Sequence, residues 1–86
     1  MPYILQVERG ALETSVSPKS PGQLNYVFSR LASRYLERNG LSYQTINDVL
    51  GAFDGASKEF YRRVAVPYEE RKRESNGDVY SEKILL

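Results

Sequence analysis

The sequence predicts an all-α fold. It expects a helical hairpin (about 21–38 and 43–64) with a proline-kinked continuation to about 74, an extended N-terminal arm and a C-terminal tail. Three observations predict it. Apolar residues recur at three- and four-residue steps in two segments, the period of a helix with one buried stripe. Start and stop signals bracket both segments: Ser20-Pro21 and Asn39-Gly40 around the first, Ser42 and Asn76-Gly77 around the second. Pro67 interrupts the second, because it has no backbone N–H and clashes with the preceding turn.

In chain order, residues 2–7 (PYILQV) are apolar and partly β-branched. A short lone strand is unstable, so this stretch is expected to be an arm across the helices or a partner subunit. Residues 9–16 could make one or two helical turns, and 15–22 (SVSPKSPG) is a loop by composition. The first long helix starts with Ser20 as N-cap, Pro21 at N1 and Gln23 closing a capping box. Its stripe is Leu24, Val27, Phe28, Leu31 and Tyr35, with Ala32 and Leu36 beside it. Gly40 ends it, since glycine tolerates a left-handed C′ conformation. Such a short link makes the next helix an antiparallel neighbour.

Ser42 is the expected N-cap of the second helix. Its stripe is Ile46, Val49, Leu50, Phe53, Phe60, Tyr61 and Val64, with Asp48, Glu59 and Arg62 on the far side. The two stripes are expected to close face to face, burying Phe28, Leu31, Phe53 and Phe60. Gly51 and Gly55, four apart on the far face, either admit a second helix or subunit or are simply tolerated, at about 1 kcal/mol each. A kink or break is expected near Arg63–Val66, and the basic segment beyond it runs as helix to about Glu74. Residues 79–86 form a tail whose Tyr80, Ile84, Leu85 and Leu86 either dock on a partner chain or fray. The organisation is one small helical domain, with arm and loop at 1–20, helical core at 21–74 and tail at 75–86.

Composition narrows the chemistry. The 86 residues are 41% hydrophobic and 27% charged, as in an ordinary folded domain, and no apolar run nears the roughly 20 residues of a membrane span. A helical hairpin of this length buries little surface, so self-association is expected. The N-terminus lacks the pattern of a secretion signal, and the absence of cysteine fits the cytoplasm. Histidine is absent too, which removes the commonest general base and metal ligand. Asp48, Asp54 and Glu59 do not repeat at the spacing that gathers carboxylates around Mg²⁺, and Glu70 and Glu74 are interleaved with Arg and Lys. No catalytic residue, metal site or cofactor is expected.

The net charge is +1, but residues 58–73 carry six basic and three acidic side chains, giving +3 there and −2 elsewhere. Tyr61, Arg62, Arg63, Tyr68, Arg71 and Arg73 mix aromatic faces with guanidinium groups, which suits an anion or nucleotide near the kink; the alternative is a solvated face of Arg–Glu pairs. A second basic face, Tyr26 with Arg30, Arg34 and Arg38, flanks the first stripe. It suits an acidic partner, a nucleic-acid backbone, a second subunit, or solvent. Asn76, Asp78 and Tyr80 either cover a ligand or cap and dock the tail.

The segments LNYVFSRL (24–31), GLSYQTIN (40–47), EFYRRVAVPYE (59–69) and NGDVY (76–80), with MPYI at the start, resemble a family of small uncharacterised bacterial and phage proteins. The matches cover most of the chain in the same order; DGAS (54–57) departs from the pattern. The resemblance implies a compact helical fold and a bacterial or phage setting, and supplies no catalytic residues. The expected function is therefore a non-catalytic, self-associating binding protein that holds an anionic ligand such as a nucleotide. Nucleic-acid binding through the basic helix faces, less favoured at a net charge of +1, and a purely structural assembly role are the alternatives.

Overall fold

The structure, a computed structural model, describes residues 4–13 and 15–85. In chain order its elements are α1 (Gln6–Leu12), α2 (Pro21–Asn39), α3 (Tyr43–Phe60), a π turn (Tyr61–Ala65) and α4 (Val66–Asn76). No strand occurs among the described residues. The chain forms two compact units, residues 1–55 and 56–86, taken in turn.

In the first unit the expected arm is shorter than the sequence suggests, because Gln6 and Val7 already belong to α1. Residues 1–3 of the arm lie outside the described residues. The first turn of α1 closes when the Glu8 N–H donates to the Leu5 carbonyl at 3.0 Å.

The start of α2 follows its sequence signals closely. Ser20 Oγ accepts from the Gln23 N–H at 3.1 Å, and Pro21 occupies the first helical position. The Gln23 side chain reaches back one residue further than a capping box requires, accepting from the Lys19 N–H at 2.8 Å. At the other end the Gly40 N–H donates to the Leu36 carbonyl at 2.7 Å. Gly40 has φ 86 and ψ 160, the mirror image of extended backbone rather than the expected left-handed helical conformation. That region is open essentially to glycine alone, so the preference for glycine stands for a different reason.

The α2–α3 turn is fastened by one side chain. Ser42 Oγ accepts from the Thr45 N–H at 3.1 Å, while Thr45 Oγ1 accepts from the Ser42 N–H at 2.9 Å and donates to the Gly40 carbonyl at 2.7 Å. This is a reciprocal cap with threonine in the place glutamate or glutamine usually holds. Thr45, 7% exposed, is the buried residue among those described. Beyond the turn the helices run antiparallel: Tyr35 meets Asp48 and, farther from the turn on both helices, Phe28 meets Phe53.

The second unit shows how Pro67 is accommodated. Of the kink or break expected near Arg63–Val66, the kink is what the structure shows, and the helix continues through it. The helix widens into the π turn, where the Val66 N–H donates to the Tyr61 carbonyl five residues back. Widening there offsets the missing proline N–H and its clash with the turn before it. Gly77 then closes α4 as Gly40 closes α2, with φ 85 and its N–H donating to the Arg73 carbonyl at 2.8 Å. The tail turns on Asp78 Oδ1, which accepts from the Tyr80 N–H at 2.9 Å.

One expectation fails. The two stripes do not bury each other: Phe28 is 48% exposed, Leu31 55%, Phe53 42% and Phe60 64%, and no hydrophobic side chain among the described residues is buried. Asp48 and Glu59, placed by their period on the far side, are both half-buried. At Asp48 the phenol of Tyr35 finds its acceptor, and the side of α3 with Asp48 and Ala52 faces α2 along with Val49 and Phe53 of the stripe.

The glycines give a test with opposite signs. Gly40→Ala forces a side chain into a glycine-only conformation and is expected to destabilise by about 1–3 kcal/mol. Gly51 sits in a helix with open space around its Cα, so Gly51→Ala is expected to stabilise by about 0.5–1 kcal/mol. Denaturant midpoints read both; destabilisation by Gly51→Ala would mean that something packs on that face.

Candidate functional site

The site grows out of the way α2 and α3 meet. The face α3 turns toward α2 carries Asp48, Val49 and Ala52, which share one side of a helix advancing about 100° per residue. Opposite them α2 presents Phe28, Leu31, Ala32 and Tyr35. Alanines at positions 32 and 52 are too small to fill the space between the helices. An open, mainly apolar groove of about 720 Å³ results, with Ile4 at its edge. The Phe28 and Phe53 rings, 6.3 Å apart and tilted by 57°, hold its sides together.

The polar spot in the groove is Tyr35 with Asp48. The Tyr35 hydroxyl donates to Asp48 Oδ2 at 2.8 Å, and the Gln44 amide donates to Oδ1 at 2.7 Å. The bond to Asp48 raises the Tyr35 pKa above the ordinary 10.0, with desolvation and the nearby negative charge adding to it. Both carboxylate oxygens are therefore engaged, and the pair fixes the register of the two helices.

The stripe of α3 is divided in the first unit: Val49 and Phe53 line the groove, while Ile46 and Leu50 do not. Ile46 and Leu50, 59% exposed at Leu50, lie on the outer face in the first unit. In the second unit Phe60, Tyr61 and Val64 are likewise exposed. None of these side chains is buried by the described residues.

The expected ligand residues are distributed unevenly. Of Tyr61, Arg62, Arg63, Tyr68, Arg71 and Arg73, the structure brings Tyr68 and Arg71 together, the guanidinium 5.9 Å from the ring centroid; Lys72 joins them at 5.5 Å. Arg62 is held by Glu59 at 2.6 Å, and Arg73 by Glu70, with Asp78 at 4.0 Å. Tyr61 is exposed, and Arg63 makes no ion pair with a described residue. A concavity of about 420 Å³ between α4 and the tail collects Glu69, Glu70 and Asp78 against Lys72 and Arg73, which disfavours an anion. On α2 the picture is reversed. Arg30, Arg34 and Arg38 make no hydrogen bond or ion pair with a described residue, and Tyr26 is exposed beside them. Glu37 accepts from Ser33 Oγ at 3.4 Å instead.

Sequence reasoning missed Thr45 and the Tyr35–Asp48 pair. The first was signalled by Ser42 three residues before a hydroxyl-bearing residue. The second has no local signal, because its partners are thirteen residues apart. Among the described residues no group of three or more acidic side chains is placed to hold a metal ion, and no helix is long and apolar enough to cross a membrane.

The model of a domain family of unknown function, DUF6899, matches residues 1–79. No curated protein and no solved structure matches the chain.

The Tyr35–Asp48 bond gives a pH prediction. A phenol whose pKa is raised on folding stabilises the fold fully below pH 10, and that contribution is lost as pH rises through the folded value. In an ultraviolet titration of the seven tyrosines one phenol should ionise later than the rest, and Tyr35→Phe should remove that lagging step. A wild-type titration with no lagging phenol would contradict the bond.

Proposed function

The chain belongs to the DUF6899 family, and we propose that it is a non-catalytic interaction protein whose working form is a self-associated assembly. The observation that carries this reading is the apolar surface left uncovered. No hydrophobic side chain among the described residues is buried, and in the first unit Phe28 is 48% exposed, Leu31 55%, Leu50 59% and Phe53 42%.

A second copy suits the surface because the exposed residues are of the core type. Phe28, Leu31, Leu50 and Phe53 are large and apolar, as in a domain core cut in half, and full burial of each contributes about 1.5–3 kcal/mol. The non-catalytic part rests on chemistry: the chain has no histidine or cysteine, and Asp48, Glu59 and Glu70 are engaged by neighbouring side chains. An anionic ligand at the Tyr61–Arg73 set gains less support, since Arg62 and Arg73 are already matched by carboxylates.

Charge on the outer face of α3 tests the reading. Leu50→Asp changes a side chain that is 59% exposed in the lone chain and places a carboxylate in the proposed interface. By sedimentation equilibrium the wild type should be larger than one 9.8 kDa chain, and Leu50→Asp should reduce the assembled fraction at least tenfold. A wild type that sediments as a monomer at micromolar concentration sinks the proposal.

A further inference from the structure

We propose that Arg30, Arg34 and Arg38 form a binding face for the phosphate backbone of a nucleic acid. The inference does not depend on self-association, because all three side chains belong to one helix of one chain. Their spacing is the first argument. Four residues advance an α-helix by about 6 Å and turn it by only about 40°, so the three guanidinium groups form a shallow spiral along one flank of α2. A row of cations at that interval matches successive phosphates of a strand better than it matches one compact anion.

Charge balance is the second argument. Within α2 the three arginines stand against one acid, Glu37, which accepts from Ser33 Oγ at 3.4 Å and makes no ion pair with Arg34 or Arg38. None of the three has an ion pair or hydrogen bond with a described residue. The contrast with α4 is direct: there Arg73 is matched by Glu70 and Asp78. Arginine also presents planar, paired donors that meet phosphate oxygens two at a time. The chain's net charge of +1 gives little long-range attraction, so binding is local, sequence-independent and strongly salt-sensitive.

The flank has a further property. Arg38 lies nearest the apolar stripe and Arg30 farthest from it, by the same helical advance. A partner occupying the groove would leave Arg30 and Arg34 accessible, so a covered groove and a bound strand are compatible.

Fluorescence anisotropy with a labelled single strand of about 16 nucleotides, and with the matching duplex, tests the proposal on the full chain. Three phosphates neutralised per copy predict a log–log salt slope near −2 for the single strand, roughly a twentyfold loss between about 50 and 200 mM salt. Arg30→Gln/Arg34→Gln/Arg38→Gln should abolish binding with unchanged helicity and sedimentation, while Arg71→Gln/Lys72→Gln should retain it. Binding by the triple variant as tight as wild type, or no binding to either oligonucleotide at low salt, overturns the inference. So does dissociation of the triple variant into monomers, which would assign the ladder to carboxylates of a second copy. Equal binding to anionic lipid vesicles, surviving at 200 mM salt, would assign it to a membrane surface instead.

Discussion

The structure is governed by a mismatch between its apolar surface and the number of helices available to cover it. A helix pair can bury one face of each partner, and here each helix carries more apolar surface than that one face. The contact between α2 and α3 uses Phe28, Tyr35, Asp48 and Phe53, with alanines between them. The outer stripe of α3 is left in water, and no apolar side chain among those described is buried. Exposed leucine or isoleucine is unremarkable singly, and the proposed association rests on the groove and stripe of large residues taken together. Association is the simplest way for a chain this small to complete a core.

Local geometry is, by contrast, fully specified within the chain. Two glycines with nearly identical conformations, φ 86 at Gly40 and φ 85 at Gly77, stop two helices by the same backbone bond to the residue four before. Thr45 ties its own helix start to the preceding helix end through Ser42 and Gly40. The π turn lets Pro67 sit in a continuous helical segment. These devices hold the helices in register without help from a buried core. Polar bonds therefore carry the hairpin's geometry, while its apolar atoms remain available for a partner.

Most of this architecture was legible in the residues. Ser20, Pro21 and Gln23 marked the start of α2, and Gly40 and Gly77 marked helix ends, because capping chemistry is local. The all-α class followed from period together with the cap signals and Pro67. The direction in which α3 turns its stripe was not legible. Period says which residues share a face, but only a partner decides which face is used, and the Tyr35–Asp48 bond decided it across thirteen residues. Proline was read as a kink or a break because its cost in a regular α-helix is high; the kink is what occurs, and the widened turn lowers that cost. For the basic residues composition pointed to residues 58–73, where charge is densest. The structure shows that density and availability differ: acids interleaved in that stretch hold Arg62 and Arg73, while the sparser α2 ladder makes no ion pair with a described residue.

The central claim, that folding and association of this chain are one process, is tested most directly by the melting temperature as a function of chain concentration. For a dimer that folds as it assembles, each tenfold increase in concentration contributes about 1.4 kcal/mol to the folded side. For two chains of this length that corresponds to a rise of roughly 3–5 °C. The account predicts such a rise from micromolar to near-millimolar chain; a melting temperature that stays constant over that range would contradict it.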